Sequence, residues 1–250
     1  MRAFTDHFAF AAGSYRSYRP HYPAALFDWV ASFTPTRDRA WDCGTGSGQA
    51  AVALATRYAE VLATDASVAQ LASAERAAGV SYLAMRAERC ALATRSVDLV
   101  TVAQALHWFD HSAFFVEVDR VLRPGGVLAV WSYGLLTIDP AIDALLQHFY
   151  AETLGPYWPS ERALVDSGYA GIDFPYPEVA PPLLEMEESW TLPQLAGFLS
   201  TWSAVGRYQN ALGVDPLPDV LRGVGSAWGS ADTRRQVRWP VVPRLGRKPM

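Results

Sequence analysis

The chain reads as an α/β protein: a mostly parallel sheet of seven strands with helices on both faces. Three observations predict this. Between Pro23 and Tyr133, strand-like apolar runs alternate with helical periodicity, the pattern of parallel strands joined by right-handed crossovers. The run Ala40-Trp41-Asp42-Cys43-Gly44-Thr45-Gly46-Ser47-Gly48-Gln49 leads from a short buried strand into a helix through three glycines at alternate positions. Asp42, Asp65, Glu88, Gln104 and Tyr133 all fall near the C-terminal ends of predicted strands, where open sheets bind ligands.

Pro23 suits a first helical turn, and residues 24–33 carry apolar side chains at helical spacing. Residues 39–42, 60–65, 80–85, 97–103 and 126–133 read as strands, with helices over 50–58, 67–77 and 111–122 between them. Past Tyr133 the character changes. Residues 138–154 predict an amphipathic helix, and Pro175, Pro177, Pro181 and Pro182 then exclude regular structure. Residues 183–190 predict a sixth strand, 192–205 and 216–228 helices, and 236–242 a last strand, with Pro240 marking its end or a sheet edge.

Composition narrows the function classes. The 250 residues are half hydrophobic, with nine tryptophans, eleven tyrosines and eleven phenylalanines, enough for one domain with a sizeable insertion. The net charge of −4 argues against a nucleic-acid partner. Arg234, Arg235, Arg238, Arg244, Arg247 and Lys248 cluster near the C-terminus and read as a solvated edge. Cys43 and Cys90, the two cysteines, read as small reduced core residues. No run approaches the ~20 apolar residues of a membrane span, and the first residues lack a signal-peptide pattern, so a cytoplasmic protein with no membrane partner is expected. No metal-binding pattern is assigned.

The glycines suggest a nucleotide-like ligand, because a backbone without Cβ turns sharply and approaches closely. A dinucleotide fingerprint would need a third glycine where Gln49 stands. The pattern is instead D-x-G-x-G-x-G, and Asp42 suits a ligand with an ammonium group better than a pyrophosphate. S-adenosylmethionine (SAM) has that ammonium and a cationic sulfur. Asp65, 23 residues after Asp42, ends the second strand and suits the vicinal hydroxyls of a ribose, with helix capping as its plainer role.

Asp42 to Gln49, Asp65, Ala87-Glu88, Val97-Asp98-Leu99-Val100 and Arg120-Val121-Leu122-Arg123-Pro124-Gly125-Gly126 together resemble class I SAM-dependent methyltransferases, nearest the type-11 methyltransferase domain. Residues 15–23 and Gln104-Ala105-Leu106-His107-Trp108-Phe109 resemble the trans-aconitate methyltransferase-like branch, whose members act on small molecules. The resemblance implies a Rossmann-like sheet with an antiparallel last strand and a helical cap inserted after the fifth strand. It divides the chain into an arm over the cofactor (1–22), a SAM-binding core (23–133), a cap (134–182) and a C-terminal part completing the sheet (183–250).

It also implies a site. Tyr18, Arg19, Asp42, Gly44, Gly46, Gly48, Asp65, Ala66, Ala87, Glu88 and Gln104 are expected around SAM and its product S-adenosylhomocysteine, with Arg19 pairing the methionine carboxylate. Relatives often place an Asp two residues before Glu88, for adenine, and Arg86 stands there instead. Tyr15, Tyr22, Trp108, Trp131 and Tyr133 are candidates to line the acceptor pocket, and His107 is the candidate general base. The expected reaction is O-methylation of a carboxylate or hydroxyl on a small molecule by a monomer or homodimer. A non-catalytic SAM-binding regulator and an NAD-dependent oxidoreductase are the alternatives.

Overall fold

The computed structural model describes residues 18–250. Strands β1 (Arg39–Cys43), β2 (Glu60–Asp65), β3 (Val80–Ala84), β4 (Val97–Ala103), β5 (Leu122–Tyr133), β6 (Leu184–Trp190) and β7 (Arg235–Arg247) form one sheet. Its order is β3-β2-β1-β4-β5-β7-β6. The pairs among β1 to β5 are parallel, and β7 runs antiparallel to both β5 and β6. This is the Rossmann-like arrangement with a reversed last strand that the resemblance implies.

Helix α1 (Ala24–Ala31) precedes β1, and α2 (Gln49–Leu54), α3 (Val68–Ala72) and α4 (His111–Val121) belong to the crossovers of the parallel part. Between β5 and β6 come α5 (Pro140–His148), a π-helical turn (Phe149–Thr153) and α6 (Arg162–Asp166); α7 (Leu192–Ser200), α8 (Ser203–Leu212) and α9 (Leu217–Trp228) lie between β6 and β7. Alternation along β5 divides the core. Val127, Ala129 and Trp131 join one cluster with Leu26 and Phe27 of α1, while Leu128 and Val130 join another with Phe114 and Val118 of α4. The sheet is thus covered on both faces, as the buried strands of a parallel sheet require.

Several element limits differ from those read in the sequence, each for a local reason. The span 192–205 is two helices. Ser200 Oγ donates to Gly197 O (2.8 Å) and Thr201 Oγ1 to Phe198 O (2.7 Å), and Trp202 then turns extended (φ −70°, ψ 129°). The strand expected at 126 begins at Leu122, and a register shift opposite Val97–Leu99 absorbs the Arg-Pro-Gly-Gly turn, with Gly125 at φ +73°. Asp98 locks this corner: fully buried, it accepts from Asp38 N, Arg39 N, Thr36 Oγ1 and Arg123 Nη1.

Pro240 is the clearest correction: β7 lies between β5 and β6, so this proline is interior rather than at an edge. Its carbonyl accepts from Gly134 N, so its missing N–H faces the β5 side one residue beyond the last β5 pair, Tyr133 with Val241. Pro243, three residues on, has the opposite facing and lies past the last β6 pair, Leu184 with Val241. Each proline therefore points its absent donor where the neighbouring strand has ended.

Candidate functional site

The glycine turn hangs from the end of β2. Thr64 O accepts from Gly44 N (2.8 Å) and Thr45 N (2.9 Å), and Asp65 Oδ2 accepts from Gly46 N (2.9 Å). Gly44, Gly46 and Gly48 all have positive φ (+70°, +55° and +88°), which glycine adopts freely. Packing adds a second demand at two of them. A Cβ on Gly44 would lie 2.6 Å from Ala105 Cβ, and one on Gly48 would lie 2.3 Å from Tyr82 Oη. Among the described residues, a Cβ on Gly46 would meet only Gln70 Oε1, at 3.9 Å.

A cavity of about 360 Å³ opens over this turn at the strand ends. Gly44, Gly46, Asp65, Ala66, Ala87, Glu88, Gln104, Arg19, Tyr22, Trp108 and Tyr133, all expected at the site, line it. A smaller chamber of about 80 Å³ adjoins it and contains His107. Arg19, Gln104, Trp108 and Tyr133 border both. Gln104 holds this junction in a left-handed backbone (φ +55°), which in a non-glycine residue costs about 1–3 kcal/mol. Its N donates to Trp131 O (2.9 Å) and its Nε2 to Tyr133 O (3.2 Å).

Five expected residues sit elsewhere than expected. Asp42 is fully buried behind the turn, where its oxygens accept from Thr45 Oγ1 (2.5 Å) and Thr101 Oγ1 (2.7 Å). Burial raises its pKa to about 6, the two hydroxyls partly opposing the rise. It therefore reaches the cavity only through Thr45, which lines it. Gly48 borders neither cavity and gives Tyr82 its space. Trp131 is fully buried in the core, edge-on to Phe27 (5.9 Å) and Tyr22 (5.6 Å), because its position on β5 faces α1. Tyr18 lies on Gly197 of α7 and borders neither cavity. Tyr22 borders the larger cavity but not the smaller. Tyr15 lies outside the described residues.

His107 borders the smaller chamber, with Nδ1 3.1 Å from Tyr169 Oη and its ring stacked on that tyrosine. Burial, with the charges of Arg162 and His111 adding to it, lowers its pKa to about 3. It is neutral at pH 7 but a weak base, which undercuts the general-base expectation. On the adenine side, Arg86 Nε pairs with Glu88 Oε2 (3.2 Å), while Glu88 Oε1 accepts from Asp110 N (3.1 Å). Glu88 thus fastens the loop after β3 to the start of α4.

Sequence reasoning missed Gln70. It lines the larger cavity at 4% exposure, and its Oε1 is buried without a hydrogen-bond partner among the described residues. An orphaned acceptor at a cavity wall can take an N–H or O–H from a ligand, or from water when the cavity is empty. A polar residue inside the predicted 67–77 helix, three places after its Ser67 cap, was the available signal. This orphan, the open space at Gly46 and the carboxylate of Asp65 fit a ribose-bearing ligand with hydroxyl and amino donors. The C-terminal cations are largely neutralised: Arg235 pairs with Asp139, Arg238 with Glu187, Arg244 with Glu178 and Lys248 with Asp119.

Comparison with known proteins agrees with this geometry. The type-11 methyltransferase domain model matches residues 41–130. A protein of Dictyostelium discoideum named as a methyltransferase is 35% identical over 252 residues, covering 98% of this chain and 96% of that one. A solved structure from Anaeromyxobacter dehalogenans, given as a type II methyltransferase, is 43% identical with a TM-score of 0.87, over 93% of this chain and 99% of that one. The Haemonchus contortus phosphoethanolamine N-methyltransferase 2, solved with S-adenosylhomocysteine, shares the fold at 18% identity and a TM-score of 0.50, over 100% of this chain and 61% of that one. This chain belongs to the class I SAM-dependent methyltransferases. That membership displaces the nicotinamide-dependent and non-catalytic alternatives. No helix among the described residues is long and apolar enough to cross a membrane.

Proposed function

We propose that the larger cavity holds SAM and the smaller one a small-molecule acceptor, with O-methylation of a carboxylate or hydroxyl as the reaction. The observation that carries this is the shared border: Arg19, Gln104, Trp108 and Tyr133 line both cavities, so two ligands would meet there. Asp65 and Gln70 would hold the ribose, Ala87 and Glu88 the adenine side, and Arg19 the methionine carboxylate. Asp42 would favour the ammonium through Thr45. SAM supplies a methyl group already activated on a cationic sulfur.

The protein's part is therefore alignment and exclusion of water. Gln104, fixed by two hydrogen bonds, keeps the junction rigid. Trp108 and Tyr133 offer ring faces to a developing positive charge there. A carboxylate acceptor is ionised at pH 7 and needs no base. A hydroxyl acceptor would draw little help from His107, so the carboxylate is favoured. The trans-aconitate-like branch rests on residues 15–23 and 104–109 alone. The reading includes a monomer or homodimer in the cytoplasm with no nucleic-acid or membrane partner, and the buried free thiols of Cys43 and Cys90 support the reducing compartment.

Calorimetric titration with S-adenosylhomocysteine, with NAD as control, tests the cofactor half. Micromolar binding of the former alone supports it, and binding of neither refutes it. Turnover of labelled SAM against a metabolite panel tests the acceptor half.

A further inference from the structure

The smaller chamber has a one-sided chemistry. Aromatic and apolar side chains, two arginines, His107 and the neutral polar residues Gln104, Thr201 and Ser203 line it, and among the described residues no carboxylate does. Arg19, at the junction, donates to Tyr133 Oη and lies over the Phe198 ring at 5.5 Å. Arg162 borders the smaller chamber alone. Its Nε donates to Tyr150 Oη (2.7 Å) and Asp166 Oδ1 (3.0 Å), and its guanidinium lies over the rings of Trp158 (4.9 Å) and Tyr150 (5.3 Å).

That arrangement fixes the guanidinium plane from one edge and one face. Tyr150 and Asp166, which hold the Nε edge, do not line the chamber. The two terminal nitrogens make no hydrogen bond to a described residue and are not buried orphans. A planar fork with both terminal nitrogens available matches a carboxylate bidentately. Trp158 and Trp202, 5.7 Å apart, add flat apolar walls.

We propose that Arg162 anchors an anionic group of the methyl acceptor, so that the chamber selects small flat acids that react through an atom other than the anchored one. This rests on the assignment of the two cavities above. The separation follows from position: the reacting atom must reach the junction of Gln104, Trp108 and Tyr133, while Arg162 lies off that junction. The acceptor is accordingly bifunctional, with an acidic anchor at one end and a nucleophilic oxygen at the other. His107, neutral beside the same guanidinium, adds no competing charge.

The test uses the whole protein saturated with S-adenosylhomocysteine and three compounds of one shape: benzoate, benzamide and benzylamine. Binding is followed by calorimetry. Benzoate is expected to bind roughly tenfold or more tightly than either analogue, as a charge-assisted pair predicts. Arg162→Gln should weaken benzoate roughly 10- to 100-fold and leave benzamide unchanged. Arg162→Lys should restore part of the preference, and Asp166→Asn should keep it. An unchanged affinity for S-adenosylhomocysteine and an unchanged melting temperature show that each variant is folded. Equal binding of the three compounds, binding of none, or a preference that survives Arg162→Gln overturns the proposal. If the wild-type protein fails to bind S-adenosylhomocysteine, the cofactor assignment falls, and this inference falls with it. If S-adenosylhomocysteine binds and benzoate is not preferred, the acid anchor alone is wrong.

Discussion

Gly44 and Gly46 have the same backbone demand and different surroundings, so alanine at each separates folding from binding. Both have positive φ, and alanine there costs about 1–2 kcal/mol. At Gly46 that is the whole structural cost, because among the described residues the new methyl meets only Gln70 Oε1 at 3.9 Å. At Gly44 the methyl would lie 2.6 Å from Ala105 Cβ and 3.1 Å from Phe109 Cζ. Ala105 Cβ sits on fixed backbone, so overpacking adds about 1–3 kcal/mol, for a total of about 2–5 kcal/mol. In a chain of this size that lowers the melting temperature by roughly 2–8 °C for Gly46→Ala and 4–20 °C for Gly44→Ala. Binding should show a separate effect of Gly46→Ala. Gly46 and Gln70 both line the larger cavity, so the methyl would take space from a cofactor bound there. Gly46→Ala should lose roughly tenfold or more in S-adenosylhomocysteine affinity while its melting temperature falls by no more than roughly 2–8 °C. Thermal unfolding and calorimetric titration of the two variants decide it. Wild-type affinity in Gly46→Ala, or a Gly44→Ala variant as stable as Gly46→Ala, would refute the reasoning.

Three further predictions follow from buried polar groups. Gln70→Leu removes an unsatisfied buried acceptor, so the ligand-free protein should melt no lower than wild type, while S-adenosylhomocysteine affinity falls about 2- to 10-fold by titration. Asp42, with its pKa raised to about 6, gives its fold-stabilising contribution fully below the ordinary carboxyl value and loses it as pH rises through 6, but only its ionised form attracts the ligand ammonium. Affinity should therefore drop as pH falls from 7 to 5, and Asp42→Asn should flatten that dependence. His107, with its pKa lowered to about 3, stabilises the fold fully above about pH 6.5 and loses that contribution as pH falls, because the unfolded chain takes up the proton first. Wild type and His107→Gln should share the shape of the kcat/KM profile between pH 6 and 8; an inflection near pH 6.5 lost in the variant would restore the general-base role.

Local sequence determined the parallel half of the molecule and most of the larger cavity. Strand and helix periods differ, glycine alone adopts positive φ cheaply, and strand ends in an open sheet converge. Those rules bring Gly44, Gly46, Asp65, Glu88 and Gln104 together, and all five line the larger cavity. What faces a cavity and what lies behind it is a matter of packing across elements distant in sequence. Asp42 belongs to the binding motif yet is buried by Thr45 and Thr101, the latter 59 residues away. Trp131 lies on the β5 face covered by α1, while Tyr133, two residues on along the same face, reaches the strand end and the cavity. Pro240 could be placed inside the sheet only once β7 was seen to insert between β5 and β6, a pairing fixed by long-range register. The smaller chamber was legible only in part: Arg19, Gln104, His107, Trp108 and Tyr133 were candidates from the sequence, and Trp158, Arg162 and Trp202 were not. These residues come from the stretches around 19, 104–108, 133, 158–162 and 202, and it is the folded chain that brings them to one chamber.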